Sequence, residues 1–206
     1  MGANLPSSAG PPDVTLAAAA TRLEELGRVS ARSSLYSTAP VGFDDQPRFF
    51  NAVSSLETDL TPFELLGALL LIEKDFGRNR VLNMQNGPRT LDLDILLYGD
   101  FVVGGATLEI PHPRLADRAF VLVPLNEIAP GVKAPRLART VSQLLQSLFP
   151  VPDNDTQAVV QIRSEHWRAG AAVHGVGVPC CPAVASFALT FRPIVRSAMA
   201  DVTSSF

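Results

Sequence analysis

The chain has 206 residues, a formal net charge of −3 and a sequence pI near 5.6. With 47% hydrophobic and 18% charged residues it can bury a core, which excludes an extended disordered chain. No run of Lys or Arg forms a basic stripe, which argues against nucleic acid as a partner; a small anionic ligand needs only a few placed arginines.

Cys180 and Cys181 are adjacent, too close for ordinary disulfide geometry, and fit a reducing cytoplasm. The stretch Met1 to Pro12 lacks the basic and apolar regions of a signal peptide. Ala169 to Phe191 carries no Asp, Glu, Lys or Arg, but its glycines, prolines and Ala/Val content argue against a membrane span.

In chain order, Leu16, Ala19, Ala20, Leu23 and Leu26 predict a helix over about Pro12 to Leu26, stopped by Gly27. Val29 to Thr38 reads as a strand, Ala39 to Pro47 as a loop, and Phe49 to Thr58 as a second strand. Thr61, Pro62 and Glu64 form an N-cap, a first-turn proline and a capping box, opening a helix that Gly77 ends. Arg78 to Gly87 has no periodicity and reads as a mobile loop. Thr90 to Tyr98 reads as a strand, Gly99-Asp100 as a turn, and Phe101 to Val103 as a short return strand. Phe120 to Leu125 is apolar, and Val141 to Phe149 reads as a short helix. The expected organisation is one domain over residues 1–150 and an unassigned tail over residues 151–206, disordered or loosely packed.

The chemistry centres on Asp92 and Asp94. Residues two apart on a strand share a face, so Leu91, Leu93 and Ile95 turn inward while the two carboxylates project together. Paired carboxylates repel unless a cation lies between them, and hard oxygen ligands suit Mg²⁺ with substrate phosphates completing its shell. A merely solvated strand face is the alternative, and aspartate is disfavoured in strands. Arg78, Arg80, Arg89 and Arg118 are guanidinium groups suited to phosphate oxygens, although any one alone is an ordinary surface arginine. Phe49 and Phe50 are consecutive, so one of them leaves the main core, and Asn51 shares a face with Phe49. An aromatic face beside an amide suits a flat, hydrogen-bonding heterocycle. His112, within Ile-Pro-His-Pro-Arg, is as compatible with a structural as with a functional role. Asp75-Phe76-Gly77 terminates a helix and has no accompanying kinase segments, and neither a P-loop nor GxGxxG occurs.

These segments resemble a known family, the 6-hydroxymethyl-7,8-dihydropterin pyrophosphokinases of folate biosynthesis. The resemblance runs from Met1 to about Leu148. It rests on Gly87-Pro88-Arg89-Thr90-Leu91-Asp92-Leu93-Asp94 and Ile110-Pro111-His112-Pro113-Arg114, supported by Tyr36-Ser37-Thr38-Ala39-Pro40, Phe49-Phe50-Asn51-Ala52, Gly77-Arg78 and Arg118-Ala119-Phe120. It implies an α+β, ferredoxin-like βαββαβ fold, here with most of the first strand missing and an irregular C-terminal extension. The implied reaction moves pyrophosphate from ATP, the co-substrate, to the pterin hydroxymethyl group. Asp92 and Asp94 are then expected to hold two Mg²⁺ ions, and Arg78 and Arg89 to be catalytic. Glu73, Arg80, Ile95, His112 and Arg118 are expected to bind ATP, and Thr38, Ala39, Val41, Phe49, Asn51 and Phe120 the pterin.

The implied protein is a cytoplasmic monomer acting on small molecules, with neither nucleic acid nor membrane as partner. Alternatives are another Mg²⁺-dependent nucleotidyl- or phosphotransferase, or an inactive ligand-binding homologue. Three departures stand out. The opening Met1-Gly2-Ala3-Asn4-Leu5 resembles only the end of the family's first strand, which suggests a start codon set late or a fragment. Asn86 stands where the family commonly has Trp before the Gly-Pro-Arg-Thr segment. Residues 151–206 match nothing in the family pattern.

Overall fold

A computed structural model describes residues 1–42, 45–79, 87–148, 159–168 and 170–171. Its helices and strands make it an α+β protein. Helix α1 (Pro12–Leu23) buries Leu16, Ala19, Ala20 and Leu23 of the predicted stripe and ends three residues before Leu26, which lies in the turn that follows. At Gly27 a Cβ would meet the Glu57 carbonyl oxygen at 2.1 Å, so the chain passes where only glycine fits.

The two predicted strands each break in the middle. The first becomes β2 (Arg28–Arg32) and β3 (Leu35–Thr38); the second becomes β4 (Phe49–Asn51) and β5 (Ser54–Glu57). The breaks coincide at Ser33 and Val53. Ser33 N–H donates to the Val53 carbonyl at 2.9 Å, while the Val53 N–H is taken by the Ser33 hydroxyl at 2.9 Å. A serine side chain thus replaces one rung of the backbone ladder, and both strands bend together.

Strand β1 (Gly2–Ala3) pairs antiparallel with β4, with Gly2 opposite Asn51 and Ala3 opposite Phe50. On its other side Gly2 exchanges two backbone hydrogen bonds with Asp92, at 2.9 and 2.8 Å. β3 pairs with β4, Thr38 opposite Phe49 and Tyr36 opposite Asn51. The lateral order is therefore the Asp92 segment, β1, β4, β3, with the expected first strand represented by the two residues of β1.

The predicted strand over Thr90 to Tyr98 departs from expectation. It alternates as predicted, Leu91, Leu93 and Ile95 being buried between Asp92 and Asp94, but only Asp92 joins the ladder. β1 supplies a partner at Gly2 alone, and the Leu93 N–H goes instead to a side chain, Glu73 Oε1, at 2.8 Å. The return strand falls slightly later, as β6 (Val103–Gly104) paired with β7 (Glu109–Ile110).

Two cores flank the sheet. On one face α1, Ala3, Ala52, the Leu91–Leu93–Ile95 row and helix α2 (Pro62–Asp75) pack together. On the other, Val53 packs with Leu122 and Leu125 of α3 (Ala119–Ile128), Ala134 of β8 (Lys133–Ala134), and Val141 and Leu144 of α4 (Val141–Ser147). β8 pairs with β9 (Arg139–Thr140) just before α4. Both α2 and α4 start with a complete capping box, at Thr61–Glu64 and Thr140–Gln143.

Part of the stretch expected to be loosely packed is docked. β10 (Val160–Ile162) extends the sheet beyond β3, and β11 (Gly170–Ala171) pairs with β2. Trp167 is 7% exposed, and its indole Nε1–H donates to the Ser33 carbonyl at 2.8 Å. A three-residue strand and one tryptophan are too short to show as periodicity, which is why the sequence carries no pattern there. Among the described residues no helix is long and apolar enough to cross a membrane. Replacing Trp167 by Phe should leave the Ser33 carbonyl without its donor and cost about 1–3 kcal/mol. A lower urea midpoint at unchanged m-value is the expected reading; an unchanged midpoint would show that this stretch contributes nothing to the fold.

Candidate active site

A cleft of about 540 Å³ opens between the sheet and the start of α3. Its floor comes from strand alternation. Phe50 packs on the α1–α2 core, so Phe49 and Asn51 point the other way and line the cleft. The Asn51 Nδ2 donates to Thr38 Oγ1 at 2.8 Å, fixing the amide in place. A Cβ on Gly2 would lie 2.8 Å from the Asn51 Oδ1, so this fixed amide favours glycine opposite it. Ala39, Val41 and Phe120 complete this end of the cleft, with Val41 59% exposed at its mouth.

The charged end is built from two chain features. Helix α2 closes with Gly77 at φ 82°, Gly77 N–H bonding the Lys74 carbonyl and Arg78 N–H the Glu73 carbonyl. This is the left-handed glycine cap, and it turns the chain so that Arg78 enters the cleft. There Arg78 Nη1 donates to the Leu91 carbonyl at 3.1 Å, and its Nη2 lies 3.2 Å from Asp92 Oδ1. Arg89 Nη1 approaches the other oxygen of Asp92 at 3.3 Å, and its guanidinium lies 4.9 Å from the Phe49 ring centroid. Asp92 thus sits between two guanidinium groups, while Asp94 is exposed and forms no ion pair among the described residues.

His112 comes from the turn after β7 and faces the same space. Burial holds its imidazole below the usual histidine range; Asp94 and Asp92 pull it upward, against Arg118 and Arg114. Its Nδ1 accepts the Arg114 backbone N–H at 3.1 Å, so the neutral ring carries its proton on Nε2. Arg118 is also lowered, by burial first and then by Arg114, yet an arginine remains charged at any working pH. Its guanidinium lies 5.4 Å from the Phe120 ring.

Four arginines, Arg78, Arg89, Arg114 and Arg118, and three aspartates, Asp92, Asp94 and Asp117, therefore line one cleft in a chain of net charge −3. Among the described residues no group of three or more His, Cys, Asp or Glu side chains is arranged to hold a metal. The donor set, two adjacent carboxylates of which one has no cationic partner, nevertheless suits a hard ion that takes its remaining ligands from water and phosphate.

A smaller cavity of about 290 Å³ adjoins the cleft and shares Asp94 and His112 with it. Ile95, absent from the larger cleft, lines this one together with Leu66, Leu93, Thr107 and Glu109. Glu73 lines neither cavity: it is 1% exposed, and its carboxylate accepts the Leu93 N–H, holding the segment between the two aspartates. In the ligand-free chain Glu73 thus supports the segment that carries the two aspartates. Arg80 and Asn86 lie outside the described residues. Arg114 and Asp117 were not singled out as site residues by the sequence. Their signal is the spacing around His112 and Arg118, which only the turn before α3 converts into shared space.

Residues 1–130 match the family described as 7,8-dihydro-6-hydroxymethylpterin-pyrophosphokinase (HPPK). The chain is 49% identical over 108 residues to the 2-amino-4-hydroxy-6-hydroxymethyldihydropteridine pyrophosphokinase of Pseudomonas aeruginosa, covering 52% of this chain and 65% of that protein. It is 44% identical over 114 residues to the protein of the same name from Haemophilus influenzae, covering 55% of this chain and 69% of the relative. It is 41% identical over 150 residues to the mitochondrial folate synthesis bifunctional protein of Arabidopsis thaliana, covering 73% of this chain and 22% of the plant protein. The chain thus spans just under two thirds of the Pseudomonas protein's length and about a fifth of the plant protein's.

Removal of the Glu73 carboxylate tests its supporting role. Glu73→Ala should orphan the buried Leu93 N–H and destabilise the ligand-free protein by about 1–3 kcal/mol in urea denaturation. Unchanged stability would show that the Glu73 carboxylate does not support this segment.

Proposed function

The chain belongs to the 7,8-dihydro-6-hydroxymethylpterin-pyrophosphokinase family, and on that premise we propose that its cleft transfers pyrophosphate from ATP to 6-hydroxymethyl-7,8-dihydropterin, a step of folate synthesis. The observation that carries this reading is the junction of two cavities at Asp94 and His112. A flat heterocycle fits the Phe49–Asn51–Phe120 end of the large cleft. A nucleoside fits the small cavity beside Ile95, and its phosphates cross the junction among the arginines. The ferredoxin-like βαββαβ plan is supported by the order Asp92 segment, β1, β4, β3 and by two helices on one face of the sheet.

In this reading the pterin hydroxyl oxygen attacks the β-phosphorus of ATP. A new oxygen–phosphorus bond forms, the bond from the β-phosphorus to the oxygen bridging α and β breaks, and AMP departs with that oxygen. The hydroxyl proton leaves to solvent. Such a transfer asks little covalent work of the protein, so positioning and charge carry the catalysis. Phe49 and Phe120 hold the ring on its faces, and the Asn51 amide reads its edge while Thr38 keeps the amide from rotating. The backbone at Thr38 and Ala39, with Val41, borders the ring. Two Mg²⁺ ions held by Asp92 and Asp94, when bound, neutralise the triphosphate oxygens. Arg78 and Arg89 exchange Asp92 for the charge that develops on the transferred group. His112, neutral with Nε2–H outward, donates a hydrogen bond to a phosphate oxygen, and Arg118 pairs with the same chain. Arg80 belongs to this phosphate group on the family resemblance alone. The adjacent thiols Cys180 and Cys181 suit a reducing cytoplasm.

Incubation with ATP, Mg²⁺ and 6-hydroxymethyl-7,8-dihydropterin should release AMP only when all three are present, and EDTA should stop it. AMP release without the pterin, or none with it, would overturn the assignment. Asp94→Ala should lower turnover by about three orders of magnitude or more, as loss of a metal ligand at a phosphoryl-transfer centre does. Pterin binding followed by its fluorescence should change little, because the aromatic end is built from other residues. Retained turnover at ordinary Mg²⁺ would remove Asp94 from the metal site.

A further inference from the structure

The carboxylate of Glu127, which does not line the cleft, accepts three hydrogen bonds, two from Ser34 just before β3 and one from Tyr36 of β3. Ser34 N–H donates to Oε2 at 2.8 Å, the Ser34 hydroxyl to Oε1 at 2.7 Å, and the Tyr36 hydroxyl to Oε2 at 2.9 Å. Glu127 stands in the last turn of α3 and Phe120 in its first. Seven residues separate them, which is about two helical turns and about 10.5 Å on one face. That face lies over β3 and β4. β4 carries Phe49 and Asn51, and Tyr36 is the residue directly opposite Asn51 in the β3–β4 register.

Phe120 is half-buried, with the Arg118 guanidinium 5.4 Å from its ring. Pro124 lies one turn further along and has no N–H to offer the Phe120 carbonyl, so the first turn of α3 lacks one of its internal bonds. The place of Phe120 therefore depends on how the whole helix docks. Buried Leu122 and Leu125 supply apolar packing, which is non-directional and permits sliding. The Glu127 contacts are directional and fix both rotation and height of the helix against β3. Tyr36 is buried and its hydroxyl is pushed up to about 12, by burial first and then by Glu127, so it stays a proton donor throughout the working range. The Ser34 hydroxyl donates to Glu127 and accepts from Gln161 Nε2 at 2.9 Å, tying the same point to β10.

We propose that Glu127 is a positioning residue that sets the separation between Phe120 and the Phe49–Asn51 wall, and through it the affinity for the heterocyclic substrate. The inference rests on the pterin reading of the cleft. Its test compares wild type, Glu127→Ala, Tyr36→Phe, Phe120→Ala and the Glu127→Ala/Phe120→Ala double variant by pterin fluorescence titration and by steady-state kinetics. Glu127→Ala should weaken pterin binding and raise the pterin KM by about tenfold, since small misplacements of a binding wall carry costs of that order. The ATP KM, and kcat at saturating pterin, should stay within about twofold, because Arg78, Arg89, Asp92 and Asp94, which face the transferred group, stand on elements other than α3. Tyr36→Phe, which spares both Ser34 bonds, should give a smaller change in the same direction and carries the test if Glu127→Ala does not fold. The double variant should bind the pterin no more weakly than Phe120→Ala alone, because the tether acts through that ring.

Unchanged pterin affinity in Glu127→Ala and Tyr36→Phe would overturn the proposal. So would additive losses in the double variant, or parallel loss of ATP and pterin affinity. A wild-type protein that binds no pterin would overturn the functional reading and this inference together, whereas wild-type binding with unaltered variants overturns this inference alone.

Discussion

Everything at the charged end of the cleft depends on the segment Leu91 to Asp94 being held still. Two carboxylates side by side repel, and a flexible chain would swing them apart. Here the segment is fastened on both sides: Asp92 exchanges two backbone bonds with Gly2, and Leu93 N–H is taken by the buried carboxylate of Glu73. Leu91, Leu93 and Ile95 are buried in the α1–α2 core, so the aspartates have only one direction left. Moving any of these anchors would turn a two-residue alternation into a disordered pair of acids.

The electrostatics follow from that placement. Asp92 draws Arg78 and Arg89 inward, each through one terminal nitrogen, and so keeps two guanidinium groups in the cleft. Among the described residues Arg89 Nε is buried without a hydrogen-bond partner, a donor that an anion would satisfy. Arg89 also lies against Phe49 and Arg118 against Phe120, so the cationic and aromatic halves of the cleft meet rather than stand apart.

The departures from the sequence reading share a cause. The long strand over Val29 to Thr38 is physically reasonable by composition, but Ser33 offers its hydroxyl to Val53 N–H and breaks the ladder. Glu73 is 1% exposed and holds the aspartate segment through the Leu93 N–H, a support that no local pattern shows. Residues 160–168 carry no visible pattern, because what docks them is pairing with β3 and one indole bond to Ser33, neither of which leaves a periodic trace.

Local chemistry was legible in the sequence alone. The capping box at Thr61–Glu64, the stop at Gly77, the opposite facing of Phe49 and Phe50, and the shared face of Asp92 and Asp94 depend on covalent geometry and neighbours a few residues away. Family membership was legible for the same reason, since the motifs are contiguous. Tertiary structure decided which of these faces meet. It brought His112 and Arg118 from one segment, Arg78 from another and Asn51 from a third into one cleft. It also placed Arg114 and Asp117 there, made Ile95 the wall of a second cavity, and joined Glu127 to Ser34 and Tyr36 across more than ninety residues of chain. Those are long-range pairings, fixed by how the cores pack against the sheet, and no local pattern encodes them.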